Sequence, residues 1–143
     1  MNTLKIGPWQ ALEKPITALR TAVFLEEQGV PEEEVFDGGE GGDLHGVLLE
    51  EGVPLACASL REEAPGTWLV HWVATEKAHR GRGLARQVME TLLAEAARRG
   101  AERVSLEAQS TAVGFYEKLG FAPCGEEIRF PSGFVLVPME KLL

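Results

Sequence analysis

The chain has 143 residues, 45% of them hydrophobic and 25% charged, with a formal net charge of −8. That is the make-up of one globular domain long enough to bury a core. The acidic balance speaks against a nucleic-acid binder, no apolar run approaches the roughly 18 residues of a membrane span, and the cysteines and histidines (Cys57, Cys124, His45, His71, His79) share no metal-ligand spacing, so no metal centre is expected.

Taken in chain order, Leu4 to Ile6 reads as a short first strand stopped by Gly7-Pro8. The opening MNTLKIGPWQ lacks the charged region and apolar core of a signal peptide, so a cytoplasmic protein with reduced thiols is expected. Glu13 to Gln28 has helical spacing, with Ile16, Leu19, Val23 and Phe24 on its apolar side and Gly29 at its end. Glu32 to Asp43, acidic and rich in glycine, predicts a mobile loop. A hairpin follows, HGVLLE and VPLACASLR around Glu51-Gly52, and a turn at Pro65-Gly66 leads into a fourth strand, TWLVHWVAT. Leu84 to Arg99 is the clearest helix, with Leu84, Val88, Leu92 and Ala96 in one stripe, Met89 and Leu93 beside it and Gly100 at the cap. Arg103 to Glu107 predicts a fifth strand, Ala112 to Leu119 a short helix closed by Gly120, and two strands follow near Ala122 to Arg129 and Phe134 to Met139. The expected fold is mixed α/β, a single domain over residues 1–143, with parallel pairing around the Leu84 helix crossover.

Charge is unevenly spread. Thr21 to Leu60 contains ten carboxylates and no lysine or arginine, whereas seven of the fourteen basic residues fall between Lys77 and Arg103. This predicts two faces, one attracting cations and one attracting anions. Within the basic stretch, Arg80-Gly81-Arg82-Gly83 joins the fourth strand to the Leu84 helix. It is not a dinucleotide fingerprint, because Arg86 stands where a third glycine is needed, and no Gly-Lys-Ser/Thr follows as a Walker loop requires. What remains is a glycine turn entering a helix, whose unpaired N–H groups and dipole suit a phosphate.

Arg80-x-x-Gly83-x-Ala85 in this setting resembles the acetyl-CoA pyrophosphate loop of the GCN5-related N-acetyltransferases (GNAT). The segment Ala112-Val113-Gly114-Phe115-Tyr116-Glu117-Lys118-Leu119-Gly120-Phe121 is similar to that family's A-x-x-F-Y-x-x-x-G-F segment. The order of elements resembles the family's fold from end to end. Arg20-x-x-Val23-Phe24 with Glu27-Gln28-Gly29-Val30-Pro31 resembles the N-terminal signature of the ElaA-like subgroup, with Trp72 where those relatives often carry a basic residue.

The resemblance implies a mixed central sheet of six to seven strands, flanked by helices, with the fourth and fifth strands splayed. It implies direct acetyl transfer from acetyl-CoA to a primary amine of a small molecule or peptide, without an acyl-enzyme, and it allows a homodimer. That no nucleic-acid partner, membrane or metal is expected rests on the charge, hydropathy and spacing above. The pyrophosphate would be held by Arg80, Gly81, Arg82, Gly83, Leu84, Ala85 and Arg86, chiefly through backbone N–H groups. Val73, Ala74 and Thr75 would pair with the pantetheine arm at a bulge, and Gln109 would contact it. Tyr116, the only tyrosine, occupies the general-acid position. No one base stands out: Glu27 and His71 lead, ahead of Glu26, Asp37, His45 and Glu107. Mid-strand Cys57 reads as a small buried hydrophobe. The competing readings are a non-catalytic coenzyme-A-binding regulatory module and, more remotely, an acyl-homoserine-lactone synthase.

Overall fold

The computed structural model describes residues 1–143. Its strands are β1 (Asn2–Gly7), β2 (Leu44–Glu50), β3 (Val53–Ala64), β4 (Thr67–Thr75), β5 (Arg103–Gln109), β6 (Ala122–Pro123), β7 (Ile128–Arg129) and β8 (Val135–Leu142), and its helices are α1 (Trp9–Arg20), α2 (Glu32–Val35), α3 (Leu84–Arg98) and α4 (Val113–Lys118). One mixed sheet runs β1-β2-β3-β4-β5-β8-β6, with β7 also pairing β8. Only β4 and β5 are parallel, and α3 supplies the crossover that a parallel pair demands. The eight strands exceed the expected six to seven. The stretch read as one strand over Ala122 to Arg129 is broken into two dipeptides, each of which finds its partner on β8.

Helix α3 buries the stripe that its periodicity announces: Leu84, Val88, Met89, Leu92, Leu93 and Ala96 all face the larger core. It lies so close to β2 that a Cβ on Gly46 would stand 2.9 Å from Val88 Cγ1, so only glycine admits this approach. On the other face, α1 covers a smaller core of Leu12, Ile16, Leu19, Val23, Val47 and Cys57. This helix starts four residues before the expected Glu13, at Trp9 behind an extended Pro8, and encloses Pro15. Packing overrides the propensity cost of that proline. After Arg20 the backbone widens into a π-helical stretch, Thr21–Glu27, which keeps Val23 and Phe24 buried.

The acidic segment corrects the expectation of a mobile loop. Val35 is fully buried, and Glu40 and Asp43 nearly so. Arg61 donates to Asp37 at 2.9 and 3.1 Å and to Asp43 at 2.7 and 3.0 Å. Beneath lies a buried polar network. Arg20 donates to the Val35 carbonyl at 3.1 Å and to Ser59 Oγ at 2.9 Å, while His45 bonds Ser59 Oγ through Nδ1 at 2.7 Å and the Glu40 carbonyl through Nε2 at 2.9 Å. The segment is therefore fastened to β3 and β2 through charge-assisted bonds.

His45 makes that network sensitive to pH. Burial pulls its pKa below the ordinary value, the Glu40 carbonyl works against this, and the nearby Arg20 adds to it. A depressed histidine stabilises the fold fully above about pH 6.5, and that contribution is lost as the pH falls through the lowered folded-state value. The melting temperature should therefore drop on acidification from about pH 7.5 to 5. His45→Gln should show a shallower drop over that interval, whatever its absolute stability. Equal slopes in thermal melts of the two proteins would exclude His45 as the titrating group.

Candidate active site

The register between β3 and β4 positions the site. Cys57 pairs with Ala74 but Ser59 pairs with His71, so β4 carries one residue more than β3 across this interval. The extra residue is a bulge at Trp72, whose φ of +57° lies in the left-handed region. For a bulky residue that conformation costs on the order of 1–3 kcal/mol. It persists because the indole is held edge-on against Phe24, ring centroids 4.9 Å apart. Toward β5, pairing stops at Leu69↔Ser105. The two strands then diverge, as expected, and β4 keeps unpaired backbone groups on that side from Val70 to Thr75.

A cavity of about 770 Å³ fills the divergence, lined by 21 residues of which 14 are hydrophobic. Val73, Ala74, Thr75 and Arg80 border it from the β4 side, and Gln109, Ala112 and Tyr116 from the β5–α4 side. His71 and Trp72 lie at the bulge between them. Six of the residues singled out from the sequence (His71, Val73, Ala74, Thr75, Gln109 and Tyr116), together with Arg80, thus share one cavity.

The basic loop follows directly. Gly81 and Gly83 have φ of +83° and +74°, a region open to glycine at little cost. Gly83 caps α3 without any side-chain bond, and the first helical backbone bond is from Gln87 to the Gly83 carbonyl at 3.2 Å. The amides of Leu84, Ala85 and Arg86 therefore have no intrahelical acceptor, while the Leu84 and Ala85 side chains are buried in the core. Of this loop only Arg80 lines the cavity.

The arginine side chains correct the picture of two separate charged faces. Arg80 grips Glu27 bidentately at 2.8 and 2.6 Å and the Thr75 carbonyl at 3.1 Å. Arg82 turns to Glu50 at 2.8 Å and His79 at 2.7 Å, and Arg86 to Glu90 at 3.1 Å. Basic loop and acidic segment neutralise one another across the sheet end. The loop thus offers an anion its amides more than free guanidinium charge. Glu27 is also a poor base in this setting: the hydrogen bond from Arg80 holds its carboxyl below the usual value, and it does not line the cavity.

His71 stands differently. Its Nε2 is sealed from solvent, 3.5 Å from Asp43 Oδ2 and without a hydrogen bond. Burial works to raise the Asp43 carboxyl, but His71 and Arg61 outweigh it and hold it below its ordinary value. Asp43 therefore stands beside the His71 ring as a carboxylate, and His71 itself lines the cavity. Tyr116 is half-buried, edge-to-face with Phe115 at 5.0 Å, and burial pushes its pKa up to about 12. Cys57 is fully buried with its thiol pushed up to about 12, which agrees with an inert packing role.

Asp43 and Arg61 escaped the sequence reading. Their one signal was Arg61 itself, the first basic residue after forty without one. Phe134 stands in the sequence reading only as the start of a strand, and Phe130 falls between the two strands expected there. They close a tight turn, with the Phe130 amide donating to the Phe134 carbonyl at 2.9 Å, and both rings line the cavity.

With this geometry in view, the likenesses to known proteins are informative. The Acetyltransferase (GNAT) domain family matches residues 16–143. A candidate acetyltransferase of Bacillus subtilis (strain 168) is 33% identical over 132 residues, covering 89% of this chain and 87% of that protein. Among solved structures, a candidate N-acetyltransferase from Lactobacillus plantarum superposes with a TM-score of 0.89 at 28% identity, covering 99% of this chain and 98% of that one. Escherichia coli ElaA superposes with a TM-score of 0.86 over 99% of both chains, a likeness of fold at 23% identity. No helix is long and apolar enough to cross a membrane.

Proposed function

The chain belongs to the acetyltransferase (GNAT) domain family, and on that premise we propose that it transfers the acetyl group of acetyl-CoA directly to the amine of a small molecule or peptide, residues 1–143 acting as one domain. The observation that carries this reading is the bulged, unpaired edge of β4 opening onto a cavity shared with Tyr116.

In this reading the amides of Gly81 to Arg86 receive the pyrophosphate at the α3 N-terminus, where the helix dipole adds to them. Arg80 braces the approach from its anchor on Glu27 and Thr75. Val73 to Thr75 offer backbone groups to the amides of the pantetheine arm, and Gln109 meets it from the opposite wall. His71 accepts the ammonium proton of the acceptor, with the Asp43 carboxylate 3.5 Å from its Nε2 to favour the imidazolium that forms. The amine nitrogen then attacks the thioester carbon and the C–N bond forms. As the tetrahedral intermediate collapses, the C–S bond breaks with its electron pair on sulfur, and the second proton of the attacking nitrogen passes through solvent to that thiolate. Tyr116 donates a hydrogen bond to that sulfur as charge gathers on it.

A thiol-release assay with acetyl-CoA against a panel of amines tests this function directly. Release with an amine establishes the transferase, whereas tight coenzyme binding with no release across the panel would favour a binding module. Two variants separate the roles assigned to Glu27 and His71. Glu27→Gln should move the acetyl-CoA KM and keep kcat within a few-fold, while His71→Gln should lower kcat by an order of magnitude or more. The reverse pattern would return the base to Glu27.

A further inference from the structure

Resting on the transferase reading, we propose that the acceptor is a primary amine carried on a flat apolar body, an arylalkylamine in chemical class, and that Phe24, Trp72, Phe130 and Phe134 form its specificity wall.

Chemistry at the acceptor end of the cavity leads to this assignment. Four aromatic residues from three separate elements line the cavity as two pairs, Phe24 of the π-helical stretch against Trp72 of the bulge, and Phe130 with Phe134 on the β7–β8 turn. The last two leave 43% and 44% of their surface open while their ring centroids stand 5.7 Å apart. A pair of phenylalanines on a turn gains nothing from water, and gains by being covered with an apolar ligand.

Charge supplies the second half of the argument. Arg80 is the only lysine or arginine lining the cavity, and Glu27 neutralises it. Glu34 and Glu107 also line the cavity, and neither takes part in an ion pair. The uncompensated charge lining the cavity is therefore negative and shares that cavity with the aromatic residues, which suits one ammonium group on an apolar stem. A polyhydroxylated amino sugar would bury hydroxyls against rings that cannot bond them. A polyamine would leave most of the aromatic wall without a matching partner.

The test is steady-state thiol release with phenethylamine and tryptamine against spermidine, glucosamine and a short peptide, with isothermal titration of phenethylamine in the presence of coenzyme A. Phenethylamine or tryptamine should show the highest kcat/KM, by at least tenfold. Phe134→Ser, a change at an exposed turn, should raise the KM for that amine about tenfold and leave the acetyl-CoA KM unchanged. A preference for spermidine, glucosamine or peptide overturns the proposal and leaves the transferase standing. Heat of phenethylamine binding with no release from any amine has the opposite meaning: the pocket assignment holds and the transferase reading falls. If Phe134→Ser instead splits a dimer in gel filtration and leaves the amine KM unmoved, the aromatic turn belongs to a subunit contact and the proposal is overturned.

Discussion

Replacing Tyr116 by phenylalanine should lower kcat by about 10²–10³-fold and leave the acetyl-CoA KM within a few-fold of the parent value. The substitution removes one oxygen. The ring keeps its place against Phe115 and Phe121, so the wall of the cavity is preserved and the change is confined to the hydrogen bond at sulfur. With its pKa pushed up to about 12 by burial, the phenol stays protonated throughout the working range and is always ready to donate. The same burial makes full proton release harder. Against an ordinary thiol near pKa 8.5, complete transfer from this phenol would be uphill by about 5 kcal/mol. A thiolate leaving in the same apolar cavity is raised too, which narrows that gap. In the proposed transfer, then, the part assigned to Tyr116 is stabilisation of the developing negative charge rather than full proton donation. It follows that kcat shows no alkaline fall attributable to this phenol below about pH 11. Steady-state kinetics on the variant decide the matter: unchanged kcat removes Tyr116 from the chemistry, and a large rise in acetyl-CoA KM at unchanged kcat makes it a binding residue.

Arg20→Ala should cost about 3–5 kcal/mol of stability, seen as a fall in melting temperature on the order of 10 °C. Arg20 is 1% exposed, and its guanidinium carbon lies 5.8 Å from the Trp9 ring centroid and 5.7 Å from that of Phe36. Burial lowers its pKa, against the field of the surrounding acidic groups. Truncation strands the Val35 carbonyl and loosens the Ser59–His45 pair, while the charges of Asp37 and Asp43 lose part of their compensation. Because Arg20 ties the acidic segment to β3, the loss reaches Phe24 and the acceptor side of the cavity as well. Coupling between Arg20→Ala and Ser59→Ala should be evident in a double-mutant cycle. A melting temperature within about 2 °C of the parent would mean that the network contributes little.

The elements that could be read from the chain share one property, that their signal is local. The α3 stripe repeats every three or four residues, Gly81 and Gly83 announce a turn ahead of a helix, and Ala112 to Phe121 carries Tyr116 in a contiguous motif. Even the divergence of β4 from β5 was within reach, because the resemblance to acetyltransferases spans nearly the whole chain. The strand over Ala122 to Arg129 was misjudged because β6 and β7 owe their existence to β8, not to any run of their own. The acidic segment was misjudged because composition records glycine and glutamate but not which arginine will meet them.

By itself, then, the sequence determined the order of elements, the buried face of α3 and the glycine turn ahead of it, since each rests on residues a few positions apart. Tertiary structure alone decided which charges remain free. Glu27 and Arg80 are 53 residues apart, Arg82 and Glu50 are 32 apart, and Arg20 and Ser59 are 39 apart. No periodicity links residues at such distances. Folding closes these pairs, holds Trp72 in its left-handed turn against Phe24, and brings the Phe130–Phe134 turn over the cavity. Whether a carboxylate is a base, a clamp or an attractor depends on what folding sets beside it.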